Sequence, residues 1–124
     1  MGKMIELTAS DGHKLSAYRA DPDGKSATAG KPRGAIVVIQ EIFGVNSHIK
    51  SVADGYAADG YVAIAPALFD RVQKGVDLGY SPEDIAAGRE IRGKVTNEMA
   101  VKDTEAAVKA ASAAGMSARM SASR

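Results

Sequence analysis

The most informative absence in this sequence is cysteine. With no cysteine among 124 residues, the chain has no disulfide bond, no thiolate metal site and no thiol nucleophile of its own. Aromatic residues are also few, with four tyrosines, two phenylalanines and no tryptophan, and they do not alternate with arginines along a basic stripe. We therefore expect no nucleic-acid partner and no disulfide framework.

Net charge and long apolar runs are missing as well. Sixteen basic and fifteen acidic residues leave a formal charge of +1, which does not favour an acidic membrane surface or any strongly charged partner. No apolar run is long enough to cross a bilayer, and the first six residues lack the apolar region of a signal peptide. We predict a cytoplasmic protein that does not bind membranes.

Metal and nucleotide motifs are not found either. His13 and His48 have no second ligand at metal-site spacing, so surface or capping roles are the default interpretation for both. The glycines form neither a dinucleotide-binding loop nor a phosphate-binding loop. We predict no metal and no cofactor.

The first third of the chain predicts a hairpin followed by a loop. Ile5–Thr8 and Leu15–Tyr18 alternate in polarity on either side of Asp11 and Gly12, a pair that favours a two-residue type I′ turn. Residues 21–33 are rich in small and polar residues without periodicity, which predicts a loop.

The next segment predicts a strand–helix–strand unit. Ala35–Ile39 is a continuous apolar run, which is typical of a strand covered on both faces in a parallel sheet. Asn46 or Ser47 is suited to cap a helix whose apolar face repeats at helical spacing until Gly60. Tyr61–Ala65 predicts a second short buried strand.

Two helices and a tail complete the pattern. Residues 70–80 predict a loop, and Ser81 followed by Pro82 predicts the start of a helix that continues to about Val95. A second helix is predicted from about residue 98 to 114. Residues 115–124 have no apolar run, so we predict a disordered tail after a single α/β domain over 1–114.

Several segments resemble the dienelactone hydrolase (carboxymethylenebutenolidase) family. The most specific is the segment Gln-Glu-Ile-Phe-Gly-Val-Asn at 40–46, and weaker matches follow in the family's order at 11–12, 59–63, 65–69 and 103–108. The resemblance implies the N-terminal half of an α/β-hydrolase: a short, mostly parallel sheet with an N-terminal hairpin and flanking helices. It also implies carboxylic ester or lactone hydrolysis without a cofactor.

The resemblance assigns roles to a few residues. Glu41 matches the family glutamate that modulates the nucleophile, and the backbone N–H of Ile42 matches one donor of the oxyanion hole. Arg89 matches an arginine that binds the substrate carboxylate, although Arg92 and Arg71 are alternatives. In the family the nucleophile lies in a Gly-x-Cys-x-Gly or Gly-x-Ser-x-Gly motif, which is not found in these 124 residues. We therefore predict that the family domain is truncated here and that the chain alone is inactive.

Two other interpretations fit the same pattern. Half of a parallel sheet exposes a strand edge, so the chain could be a non-catalytic domain that self-associates or pairs with a separate C-terminal half. A flavodoxin-like binding module shows the same alternation of strands and helices, but no phosphate-binding loop follows Ile39.

Overall fold

The computed structural model describes residues 2–22, 34–113 and 118–122, with the side chains of 112, 113 and 118–122 left aside. Five strands form one mixed sheet in the order β1-β2-β4-β3-β5. The strands are β1 (Gly2–Thr8), β2 (Lys14–Ala20), β3 (Ala35–Ile39), β4 (Val62–Pro66) and β5 (Ala118–Ala122). The helices are α1 (Ser47–Ala58), α2 (Pro82–Lys94) and α3 (Asn97–Ala113). The predicted loop at 21–33 lies largely outside the described residues.

The two central strands are covered on both faces, as the continuous apolar runs predict. In β3, Ala35 and Val37 pack with α3 on one face, whereas Ile36 and Val38 pack with α1 on the other. Strand β4 is buried along its whole length and pairs with β3 in parallel. The α/β class is therefore confirmed, with three parallel strands (β3, β4 and β5) extended by an antiparallel hairpin.

Helix boundaries follow the capping signals in the sequence. The side chain of Asn46 accepts a hydrogen bond from the N–H of Ile49, and that of Ser81 accepts one from Asp84. Each bond satisfies a backbone donor that the first helical turn leaves free. Gly60, with φ of +99°, follows α1 in the left-handed conformation that glycine adopts without a Cβ penalty.

The hairpin is confirmed, but its turn differs from the prediction. The N–H of Gly12 donates to the carbonyl of Ala9, so Ser10 and Asp11 are the central residues of the turn. Gly12 follows them with φ of +86°. This is a three-residue connection with glycine in the left-handed position, which also matches the twist of the flanking strands. The predicted two-residue turn centred on Asp11 and Gly12 is wrong by one residue.

The prediction of a disordered tail over 115–124 is wrong for residues 118–122. These residues form β5, which pairs in parallel with β3 from Ala35 to Ile39. The side chains of the tail show no strand pattern, but strand pairing joins main-chain groups, and the edge of β3 that β4 does not cover offers a row of them to β5. On this side of the sheet, β5 is the edge strand among the described residues.

Candidate active site

The segment after β3 forms a tight loop at the carboxyl end of the strand. Gly44 has φ of +80°, and a Cβ at this position would lie 2.1 Å from the carbonyl oxygen of Val76. The N–H of Leu78 donates to the carbonyl of Phe43 at 2.9 Å, which joins the loop to the 70–80 segment. Gly44 is therefore required both by the backbone conformation and by the close approach of the second loop.

Aromatic and amide side chains brace this loop from outside. The rings of Phe43 and Tyr80 meet edge to face with centroids 4.5 Å apart. The Asn46 amide donates to the Tyr80 hydroxyl at 3.3 Å while its oxygen caps α1. One asparagine thus connects the start of α1 with the segment that leads to α2.

The loop forms one wall of a cavity of about 930 Å³. The cavity lies where β3 and β4 end, because its walls include the residues that follow both strands, and helices α2 and α3 contribute the other walls. The lining residues are Ile39, Gln40, Glu41, Ile42, Phe43, Leu68, Phe69, Arg89, Arg92, Gly93, Val95, Thr96, Asn97 and Ala100.

The connectivity of the sheet explains this location. From β3 the chain passes through α1 to β4 on one side, and after α2 and α3 it returns to β5 on the other side of β3. Helices α1 and α3 consequently lie on opposite faces of the sheet. At such a reversal of strand order the connections diverge and leave a crevice at the carboxyl ends of the strands, which is where open α/β sheets bind ligands.

Glu41 and Ile42 both line this cavity. Glu41 is partly buried, and its carboxylate has no salt-bridge partner among the described residues. Over the ranges 2–22 and 34–113, no acceptor for the N–H of Ile42 is found. The cavity wall therefore offers a carboxylate and a backbone donor side by side, while the catalytic roles of these groups stay predictions.

The structure separates the three candidate arginines. Arg89 and Arg92 line the cavity from α2 and are three residues apart, so they share a helix face. Neither has a carboxylate partner within the part of the chain that is described. Arg71, by contrast, does not line the cavity. Its guanidinium is engaged by Asp11 at 2.7 Å and by Asp103 at 2.9 Å.

The carboxylates around Arg71 form a structural network. Asp103 on α3 is fully buried and accepts three hydrogen bonds from the Arg71 guanidinium, and Asp11 accepts two more. These bonds hold the pKa of Asp11 well below its usual value and raise that of Arg71. The network ties the hairpin turn, the loop after β4 and α3 together. Because Arg71 is paired in this network, Arg89 and Arg92 are the remaining candidates for anion binding in the cavity.

Helix α2 reaches the cavity because of one glycine. A Cβ on Gly88 would lie 2.3 Å from the carbonyl oxygen of Ile42, so only glycine lets the helix pack against the loop at this distance. This contact places the next residue, Arg89, beside the loop. From the sequence, Gly88 is expected only to weaken the helix, although a glycine in the middle of a helix is also a signal of close packing.

Two further residues of the site region were missed. Gln40 forms hydrogen bonds with its side chain to the chain segments that follow both β3 and β4. Asp103 interrupts the apolar face of α3, and an acid at such a position indicates a buried partner, here Arg71. For Gln40 no pattern in a single sequence gives the signal, because both of its partners are backbone groups.

Across residues 2–22 and 34–113, no group of three histidine, aspartate or glutamate side chains is arranged to hold a metal ion. Likewise, none of the helices there combines the length and apolarity needed to cross a bilayer.

Proteins of known structure share this fold. A dienelactone hydrolase from Klebsiella pneumoniae, provisionally described as such, superposes with a TM-score of 0.74 at 27% identity, covering 98% of this chain and 50% of that one. A dienelactone hydrolase-like promiscuous phosphotriesterase from metagenomic libraries superposes with a TM-score of 0.61 at 22% identity. The fold is thus that of the α/β-hydrolases, and this chain matches about half of it.

The sequence comparisons give the family. The model of the dienelactone hydrolase family matches residues 15–120, so the chain belongs to this family. A protein of Synechocystis, provisionally described as a carboxymethylenebutenolidase, is 47% identical over 95 residues, which are 77% of this chain and 37% of that protein. A similarly described protein of Methylorubrum extorquens is 37% identical over 111 residues, 90% of this chain and 35% of that protein. The chain therefore spans little more than a third of these relatives. Membership of the dienelactone hydrolase family excludes the alternative of a flavodoxin-like binding module.

Proposed function

We propose that this chain supplies the oxyanion-hole side and the anion-binding side of the active site of a carboxylic ester or lactone hydrolase. The observation that carries the proposal is the convergence of Glu41, Ile42, Arg89 and Arg92 on one cavity at the carboxyl end of β3. Two guanidinium groups without a carboxylate partner among the described residues line a cavity of about 930 Å³, which suits a small substrate with a carboxylate. The relatives are provisionally named as enzymes of this class.

Each group has a chemical task in this proposal. The N–H of Ile42 donates to the substrate carbonyl oxygen, whose negative charge grows as the tetrahedral intermediate forms. The Glu41 carboxylate accepts a hydrogen bond from the attacking group in the resting site and so modulates its activation. Arg89 or Arg92 holds the substrate carboxylate and thereby orients the scissile bond.

The nucleophile is assigned to residues outside these 124. The chain contains no cysteine, and no serine or cysteine lies in the family's nucleophile motif. Two oxyanion donors aimed at one oxygen make a large catalytic contribution, and the second donor follows the nucleophile in this family. We therefore propose that the 124 residues alone do not turn over substrate, and that the complete enzyme acts in the cytoplasm.

A hybrid enzyme tests this proposal. Residues 1–113 are fused to the remaining C-terminal part of the Synechocystis relative, which brings the family's nucleophile, acid and histidine. The hybrid is expected to hydrolyse p-nitrophenyl acetate, and Glu41→Ala is expected to lower kcat by about 100-fold, as for groups that act on proton transfer. Glu6→Ala is the matched control, since Glu6 is an exposed residue of β1.

Two results would contradict the proposal. The first is a folded hybrid without esterase activity, or one in which Glu41→Ala has no more effect than Glu6→Ala. The second is turnover by the purified 124-residue chain that Glu41→Ala abolishes, because this would show that the nucleophile lies within these residues.

A second function is favoured by the sheet edge. Strand β5 pairs with β3 on one side only, and no described strand covers its other side. The unpaired main-chain groups of such an edge favour pairing with a second copy or with a separately encoded C-terminal half. Size-exclusion chromatography with light scattering at high concentration tests self-association, and a monomer that melts cooperatively would argue against it.

A further inference from the structure

We infer that Gln40 is a positioning residue that fixes the direction of the Ile42 N–H, the oxyanion donor of the function proposed above. Gln40 is the first residue after β3 and lines the cavity beside Glu41. It does not need to contact the substrate for this role, because it acts on the backbone of the loop.

The Gln40 side chain makes two hydrogen bonds, both to backbone groups. Its Nε2 donates to the carbonyl of Glu41 at 3.0 Å, and its Oε1 accepts from the N–H of Leu68 at 2.8 Å. Leu68 follows β4, so the side chain bridges the segments that leave two adjacent parallel strands. Only this orientation of the amide satisfies both partners. If O and N were exchanged, the amide NH₂ would face the Leu68 N–H, and the amide oxygen would face the Glu41 carbonyl.

The bond to the Glu41 carbonyl also determines where the Ile42 N–H points. The carbonyl of Glu41 and the N–H of Ile42 belong to one planar peptide unit, in which they point in opposite directions. A donor that holds the oxygen on one side therefore holds the N–H on the other. Gly44 N–H donates to the same oxygen at 3.4 Å, a longer bond that leaves Gln40 as the principal anchor.

The Leu68 N–H that orients the Gln40 amide lies just after a strand that is buried in the sheet. The residues of β4 from Val62 to Pro66 are fully buried, and Leu68 is buried just beyond the strand. The N–H of Leu68 donates to Oε1 and so orients the amide, which transmits the position of the sheet to the Glu41–Ile42 peptide. Oxyanion stabilisation depends on donors that are oriented before the reaction, so this bridge has a direct consequence for catalysis.

The test uses NMR on the isotope-labelled 124-residue chain with two substitutions that separate the two bonds. Gln40→Glu keeps an acceptor for the Leu68 N–H but, when ionised, donates nothing to the Glu41 carbonyl. Gln40→Met has a similar length and makes neither bond. Gln73→Met is the matched control, because Gln73 is exposed and its side chain makes no hydrogen bond among the described residues.

The expected pattern separates the hydrogen bond to Leu68 from the hydrogen bond to Glu41. In Gln40→Met, exchange of the Leu68 amide becomes about tenfold faster, as for the loss of one hydrogen bond, whereas in Gln40→Glu it stays within about twofold of the unsubstituted chain. In both variants the Glu41 carbonyl and Ile42 amide resonances shift. The backbone amide resonances of β3 and β4, which pair with each other, stay unchanged. The control leaves all of these signals in place.

The inference is overturned if the Glu41 and Ile42 resonances in Gln40→Glu match those of the unsubstituted chain, or if they change no more than resonances of β3 and β4. The readout does not depend on turnover. An inactive hybrid enzyme would thus contradict the proposed function, whereas unchanged Ile42 resonances would contradict the positioning role of Gln40.

Discussion

Replacing Gly88 by alanine tests the contact that brings α2 to the loop after β3. The added Cβ would lie 2.3 Å from the Ile42 carbonyl oxygen, and 3.4 Å is the lower limit of ordinary contact, so the helix or the loop must move by about 1 Å. Overpacking of this kind costs about 1–3 kcal/mol. Alanine also gains about 1 kcal/mol over glycine in a helix interior, which offsets part of this cost.

The same helix supplies the control that removes the propensity effect. A Cβ on Gly93 meets nothing within 4 Å, so Gly93→Ala should stabilise the protein by up to about 1 kcal/mol. We expect Gly88→Ala to be less stable than Gly93→Ala by about 1–3 kcal/mol, or about 4 °C in Tm per kcal/mol. Urea and thermal unfolding of the two variants measure the difference. If Gly88→Ala is as stable as Gly93→Ala, α2 does not pack on Ile42 as described.

Three further predictions concern side chains in hydrogen bonds that the structure describes. Asp103→Asn should lower the free energy of unfolding by about 3 kcal/mol, because it removes the charge that compensates the buried side of Arg71; urea unfolding measures the loss. The depressed pKa of Asp11 means that its stabilisation is present above its unfolded value of 3.8 and is lost as the pH falls below it, so Asp11→Asn should flatten the acid limb of the stability profile. Burial and the hydrogen bond to Asp54 raise the pKa of Tyr18, so its stabilisation is present below the unfolded value of 10.0 and is lost as the pH rises through the folded one. Tyr18→Phe should remove this alkaline dependence and cost about 1 kcal/mol in denaturant unfolding at neutral pH.

The fold could be predicted where side-chain pattern and packing agree. Ala35–Ile39 is apolar at every position because both faces of β3 are covered, and the predicted strand matches the observed one residue for residue. The helix start at Ser81 was also predictable. The serine side chain accepts a hydrogen bond from a free backbone N–H of the first turn, and the proline that follows has its φ angle fixed near the helical value. These signals are local, and the tertiary structure does not override them.

The structure differs from the sequence-based prediction at β5 and at the hairpin turn, where main-chain pairing determines the conformation. Strand β5 depends on the free edge of β3, which lies some eighty residues earlier in the sequence, so no local pattern predicts it. The hairpin turn differs by one residue because Asp11 and Gly12 suit two turn types, and the register of β1 and β2 selects between them. Local sequence does not contain this register.

The candidate site was predicted only in part. The resemblance placed Glu41 and Ile42 at the carboxyl end of β3, where the structure has them, but it left three arginines open. Arg71 is distinguished from Arg89 and Arg92 by its carboxylate partners, which come from the hairpin and from α3. Contacts between such distant segments follow from the folded structure and not from sequence spacing.

If the cavity binds an ester substrate through the substrate's carboxylate, loss of a cavity arginine should affect two substrates of the hybrid enzyme differently. For an ester or lactone with a free carboxylate, Arg89→Ala or Arg92→Ala should raise KM by about 10- to 100-fold, the value of a charge-assisted hydrogen bond, whereas KM for a neutral ester should stay within about twofold. Lys94→Ala is the control, because Lys94 is an exposed cation on the same helix that does not line the cavity. Equal effects on both substrates, or no effect of either arginine beyond that of Lys94→Ala, would contradict the account.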